Sequence, residues 1–171
     1  MIRVEEALEI VLTHSQERKV QTVGVLDALG MVLGEDIRSG EDLPSFDRSG
    51  MDGFAVRSRD LVTASPESPV RLKVIAMVAA GDVCNARVGK GEAVRITTGA
   101  PIPVGTDVVV RQEDVTILTG ATDPHGVGVG ILISKPVESG VNVGRAGEDV
   151  RADSLVPVSY THLTLPTNRE V

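Results

Sequence analysis

Tryptophan is absent, cysteine occurs once, and aromatic residues make up only 2% of the 171 residues. The aromatics are Phe46, Phe54 and Tyr160, so any core has to be assembled from valine, isoleucine, leucine and alanine. A lone Cys84 excludes an intrachain disulfide framework. Positive charge is also short: 17 Lys and Arg against 24 Asp and Glu give a net charge of −7. This disfavours non-specific nucleic-acid binding, which needs basic surface to neutralise phosphates, although local donors can still hold a small anion. Long apolar runs are missing. Val74 to Ala80 is among the longest and falls well short of the roughly 20 residues a spanning helix needs. The opening MIRVEEALEIVLTH carries acids where a secretory leader needs a basic and then an apolar segment. The expectation is a cytoplasmic protein that binds neither membrane nor nucleic acid.

What is present is an ordinary globular balance of 42% hydrophobic and 24% charged residues, rich in valine and glycine, which favours strands joined by tight turns. Val4, Ala7, Leu8, Val11 and Leu12 fall on one face of a helix. A second short helix is expected over Val25 to Leu29, closed by Gly30. Strands are expected at Phe54 to Ser58, in VRLKVIAMVAAG from Val70, and at Glu92 to Thr97, Asp107 to Gln112, Val115 to Leu118 and Gly130 to Lys135. A hairpin loop is expected between Gly120 and Gly130. The fold class is mainly β with short N-terminal helices (α+β), in which a small β barrel or sandwich-like domain is inserted into a linker domain. The segments expected are 1–43 for the N-terminal helical part of the linker domain, 44–137 for the inserted β domain and 138–156 for a return strand, centred on Val141 to Val150. Residues 157–171 carry no partner pattern and read as an appended tail.

Several familiar motifs are excluded. Gly89-Lys90-Gly91 lacks the hydroxyl residue that a P-loop places after lysine. Gly126, Gly128 and Gly130 lack the dinucleotide-binding spacing. His14, His125, His162 and Cys84 are scattered rather than spaced as metal ligands. Three glycine-bracketed polar loops remain. In PSFDRSGMDGFAVR, Asp52 lies between Gly50 and Gly53. It could bind a substrate, hold a hydrated magnesium ion or act as a base, or simply close an Asx-turn. In RITTGAPIP, Thr97, Thr98 and Gly99 follow a strand and suit phosphate or carbonyl oxygens, or else only terminate that strand. In NVGRAGEDVRA, Gly144 and Gly147 bracket Arg145, and Glu148-Asp149 follow. The plain alternative there is a solvated turn of mixed charge.

In this order and at these separations, FDRSGMDGFAVR, RITTGAPIPVGTDVVVRQEDV and NVGRAGEDV resemble the N-terminal region of the molybdopterin molybdenumtransferases, a family that includes the gephyrin E domain. VEEALEIVL and LDALGMVLGEDI fit its start, and the resemblance runs from about Val4 to about Leu155. It implies an enzyme that inserts molybdenum from molybdate into adenylylated molybdopterin with Mg2+ and releases AMP. It also implies a homodimer supplied by an upstream molybdopterin adenylyltransferase. It places Asp52 and Thr98 in the catalytic site, Asp52 also on the metal, and Ser49, Gly53, Gly99, Arg145 and Asp149 among the cofactor contacts.

The family is more than twice this length, and the basic cluster often found before its Gly-Glu-Asp motif is thinned here to Arg145. The expectation is therefore an N-terminal fragment of a molybdenum insertase, inactive by itself, whose exposed first-helix face promotes association. The rival readings are a non-catalytic scaffold module of the gephyrin type and an unrelated β-domain enzyme holding a metal on Asp52 and Asp149.

Overall fold

A computed structural model describes residues 2–15, 19–83, 85–118, 127–157 and 161–162. The chain divides into two units: residues 1–38 with 155–171, and residues 39–154. Residues 120–126 of the expected hairpin loop, the isolated Cys84 and most of the expected tail lie outside the described residues; the strands flanking that loop, Val115–Ile117 and Gly130–Ile133, pair antiparallel.

The first unit carries both chain ends. Helix α1 spans Val4–His14, with Glu5 and Glu6 in its first turn and His14 in its last, the arrangement that complements the helix dipole. None of its residues is buried. The expected second helix is a single 3-10 turn over Val25–Ala28, after which Gly30 turns the chain at φ +78°. Residues 32–38 then run alongside residues from the other end. Leu33 N–H donates to the Thr161 carbonyl at 3.0 Å, and Ile37 N–H donates to the Pro157 carbonyl at 3.0 Å.

Among the described residues, the regular structure of the second unit is strands and two short 3-10 turns, Ser58–Asp60 and Gln112–Asp114. Its strands are β1 (Arg48–Ser49), β2 (Gly53–Val56), β3 (Val70–Val78), β4 (Glu92–Ile96), β5 (Val108–Arg111), β6 (Val115–Ile117), β7 (Gly130–Ile133) and β8 (Val143–Gly144). Six of them form one sheet in the order β5-β2-β4-β3-β7-β6. All its pairs are antiparallel except β3 with β4, whose parallel pairing is made possible by the long connection 79–91 between them. The two edge strands, β5 and β6, are consecutive in the chain and separated only by the turn Gln112–Asp114. Four residue steps from Arg111 to Val115 reach at most about 14 Å, whereas six flat strands would put the edges about 24 Å apart. The sheet therefore has to curl on itself, giving the barrel-like form expected from many short strands.

Alternation places the core. Phe54 and Val56 of β2, Leu72 and Val74 of β3, Val108 and Val110 of β5 and Ile131 and Ile133 of β7 make one buried cluster. Ala55, Val94, Ile96 and Val109 face the other way and are covered by Val88 and Ala100, with Ile102 and Val143 packed against them. β3 contributes to both clusters because it carries a bulge between Val74 and Ala76; the extra residue shifts the phase, so Val78 ends on the second face. That second cluster positions the site, since Ala100 and Val143 belong to the loops described next.

The return strand is shorter than expected. Only Val143–Gly144 pairs as a strand, with β1, and Val150 makes a single bridge to Leu43. The interruption has a local cause. Asn142 sits at φ 58° and Gly147 at φ +71°, and these left-handed residues turn the chain on either side of Val143–Gly144.

Candidate functional site

The three glycine-bracketed loops meet on β1. Ser49 N–H donates to the Ala100 carbonyl at 2.9 Å, and Gly99 N–H donates back to the Ser49 carbonyl at 2.8 Å. Ile102 N–H donates to the Asp47 carbonyl at 2.9 Å. On its other side β1 pairs with β8, Arg48 opposite Gly144 and Ser49 opposite Val143, and Gly50 N–H donates to the Asn142 carbonyl at 2.9 Å. A two-residue strand thus acts as the spine between the Thr97–Ala100 turn and the 142–149 loop. Motifs some 50 and 95 positions apart in sequence become neighbours.

Asp52 emerges from this spine onto the surface. Its Oδ1 accepts the Thr98 N–H at 2.7 Å and the Thr98 hydroxyl at 2.8 Å. The Thr98 amide, then the Thr98 hydroxyl, hold the Asp52 carboxyl below its ordinary range, with a smaller contribution from the Arg95 charge. Asp52 is therefore ionised at neutral pH, with one oxygen committed to Thr98. The turn that presents Thr98 is closed by Ala100 N–H donating to the Thr97 carbonyl at 3.1 Å. Gly99 at its third position has φ +82°, a conformation glycine adopts without strain. Of the two threonines, Thr98 meets Asp52, while the Thr97 hydroxyl accepts the Ala80 N–H at 3.0 Å.

The 142–149 loop is gripped by the residues just before Ser49. Asp47 accepts the Ala146 N–H at 2.9 Å on Oδ1 and Arg145 Nη1 at 2.6 Å on Oδ2. The Ala146 amide, foremost, holds the Asp47 carboxyl low; burial opposes it, and the Arg145 guanidinium adds to the lowering. Arg48 Nη2 reaches Glu148 at 3.1 Å and Asp149 at 3.3 Å. Glu148 also accepts the Arg145 N–H at 3.0 Å, closing the loop on itself. These side chains are a third to two-thirds exposed, so each pair contributes at most about 1 kcal/mol to stability. Their effect is to fix the loop's direction.

The residues expected from the sequence divide by what remains available. The Asp52 carboxylate and the Thr98, Arg145 and Asp149 side chains lie at the surface. Ser49 is buried, at 1% exposure. Gly53 is also buried, and a Cβ there would overlap the Val110 carbonyl across the β2–β5 pairing; its side chain is missing because β5 passes there. The Gly99 amide is taken by Ser49. Asp52 and Asp149 have different partners, Thr98 and Arg48 respectively. Asp47, Arg48 and Glu148 were not singled out from the sequence; the trace they left is an acid–base neighbour pair, Asp47-Arg48, facing Arg145 and Glu148-Asp149.

Magnesium fits this donor set only in part. Mg2+ keeps several waters and needs one or two carboxylates together with substrate oxygens. The Asp52 oxygen not taken by Thr98 can be one such ligand. Among the described residues no group of three or more His, Cys, Asp or Glu is placed to hold a metal, so no all-protein cage forms there.

Residues 2–167 match the model of the MoeA N-terminal region, domains I and II. The chain is 38% identical over 163 residues to the molybdopterin molybdenumtransferase of Bacillus subtilis, covering 95% of this chain and 37% of that protein. It is 38% identical over 164 residues to the enzyme of that name from Synechococcus elongatus, covering 92% and 38%. A crystal structure titled molybdopterin biosynthesis MoeA protein from Pyrococcus horikoshii superposes with a TM-score of 0.81 at 35% identity, covering 93% of this chain and 40% of that one. The chain thus spans less than two-fifths of the curated relatives it matches. With the three loops of its resemblance gathered on one spine, the chain belongs to the molybdopterin molybdenumtransferase family and corresponds to its N-terminal region.

Proposed function

We propose that this chain is the N-terminal part of a molybdenum insertase, supplying one face of a site that transfers molybdenum from molybdate to adenylylated molybdopterin. The observation that carries the reading is the convergence of three separate loops on β1, with an ionised Asp52 presented at the surface by Thr98. In this reading Asp52 orients a substrate group or hydrated Mg2+ through its uncommitted oxygen, and Thr98 fixes the carboxylate and its charge. Arg145 and Asp149 flank the same spine as polar contacts for the ligand. Bound Mg2+ would supply positive charge to substrate phosphate oxygens, held by Asp52 and by the substrate itself. The site is completed by residues outside this chain, in a homodimer fed by an upstream adenylyltransferase in the cytoplasm, so the chain alone is inactive. No helix among the described residues is long and apolar enough to cross a membrane.

A mixing assay tests this. The chain is combined with a full-length relative substituted at its own Met-Asp-Gly aspartate, and molybdenum insertion is followed with magnesium present. Restored insertion that disappears with Asp52→Ala in this chain is the expected result. No restoration from a chain shown to fold and to associate with the relative would leave Asp52 as a turn residue and favour a non-catalytic binding module.

A further inference from the structure

We infer that Ser49 is a positioning residue, one whose side chain acts on the site through Asp52 and Thr98 rather than by touching a ligand. Ser49 is the one buried polar residue among the described residues. Its hydroxyl donates to the Met51 carbonyl at 2.6 Å and accepts the Met51 N–H at 3.3 Å, so both its proton and a lone pair are committed inside the loop. A hydroxyl so committed and so buried does not reach a ligand.

The side chain is also not what holds β1 in place. That is done by main-chain bonds: Ser49 N–H to Ala100, Gly99 N–H to Ser49 and Gly50 N–H to Asn142. What the hydroxyl adds is confined to Met51, the residue immediately before Asp52. It closes the Ser49–Met51 turn, and the direction in which Asp52 leaves that turn determines whether its carboxylate meets the Thr98 amide and hydroxyl. The backbone of Ser49 meanwhile holds the Gly99–Ala100 end of the Thr98 turn. One small buried residue therefore locates the acceptor through its side chain and the donors through its main chain. A branched or longer side chain would not fit at 1% exposure, and alanine would leave the Met51 N–H and carbonyl without this partner. The inference rests on the proposed function only in making Asp52 a functional group; the positioning itself is a property of this chain.

The test is site-resolved amide hydrogen exchange on the chain carrying Ser49→Ala. The Thr98 amide, donated to Asp52, is expected to exchange about five- to tenfold faster, the loss of roughly one hydrogen bond's worth of protection. The Ala100 amide, in the same turn, and the Val109 amide, on β5, should be unchanged. An unchanged Thr98 rate in the folded variant overturns the inference, as does equal acceleration of all three amides, which would make Ser49 a general stability residue. If Ser49→Ala does not fold, Ser49→Cys keeps one heavy atom beyond Cβ, a somewhat larger sulfur, while replacing the hydroxyl with a weak hydrogen-bonding group, and the same comparison is read from it. A magnesium titration of the unsubstituted chain, followed on the Met51 and Gly53 amides, separates this inference from the proposed function. An accelerated Thr98 amide in Ser49→Ala supports Ser49 as a positioning residue even where magnesium moves neither amide, an outcome that sinks only the magnesium part of the reading above.

Discussion

At Asp52 two effects oppose one another, and their sizes decide which wins. Two donors from Thr98, the amide first and then the hydroxyl, favour the charged form, while the little burial the carboxylate has disfavours it. The net result is a folded-state value below the ordinary 3.8. A lowered carboxylate contributes stability that is fully present above its unfolded value and is lost as pH falls through the folded one. For Asp52 that window lies below 3.8, so the site stays charged across the physiological range. Thr98→Val removes the hydroxyl donor and keeps the amide donor. The Asp52 value is then expected to rise only part of the way back, as followed by carboxyl chemical shift against pH. A full return to the ordinary value would mean that the amide bond does not survive without the hydroxyl. This pairing could be named from the sequence only through family resemblance. Asp52 and Thr98 are 46 positions apart, and nothing in composition or spacing joins them. Asp47 with Arg145, 98 positions apart, had no such guide and was missed.

Elements were more legible than contacts. β2, β4, β5, β6 and β7 each lie where alternating or continuous valine-rich runs place them, because side-chain period is a local property. Pairing is not local. The parallel β3–β4 neighbours and the bulge after Val74 follow from which strand lies next to which, and no single segment records that. Gly53 illustrates the difference. As sequence it reads as a glycine left bare for a ligand, but in the fold its bare face is filled by the Val110 carbonyl. Gly53→Ala should therefore force β2 away from β5 and destabilise the chain by about 3 kcal/mol, the upper part of the range for overpacking. Gly50→Ala is the control: its Cβ would meet the Asn142 carbonyl at 3.4 Å, ordinary contact, and should cost less than about 1 kcal/mol. Urea midpoints at constant slope measure both. Equal costs would show that the β2–β5 pairing gives way easily at Gly53.

For the molecule as a whole, the two units differ in how far their sequence accounts for their structure. The β unit buries what its pattern says it should. The first unit does not. Val4 is 81% exposed, Leu8 57%, Val11 61% and Leu12 64%, the exposed apolar face expected of the first helix in this chain. An 11-residue helix is also shorter than the roughly 12–15 residues at which isolated helices become even marginally stable in water, so α1 needs a surface against that face to persist. The curated relatives matched here are more than twice as long as this chain, so in them far more protein is available to cover such a face. In this chain alone, the stripe should drive self-association. Helical signal at 222 nm and sedimentation coefficient should rise together with protein concentration, and Leu8→Lys with Leu12→Lys should abolish both rises while leaving the β unit's unfolding transition unchanged. A monodisperse monomer at high concentration, with amides of Val4 to Leu12 strongly protected, would show instead that α1 is held by the chain's own first unit.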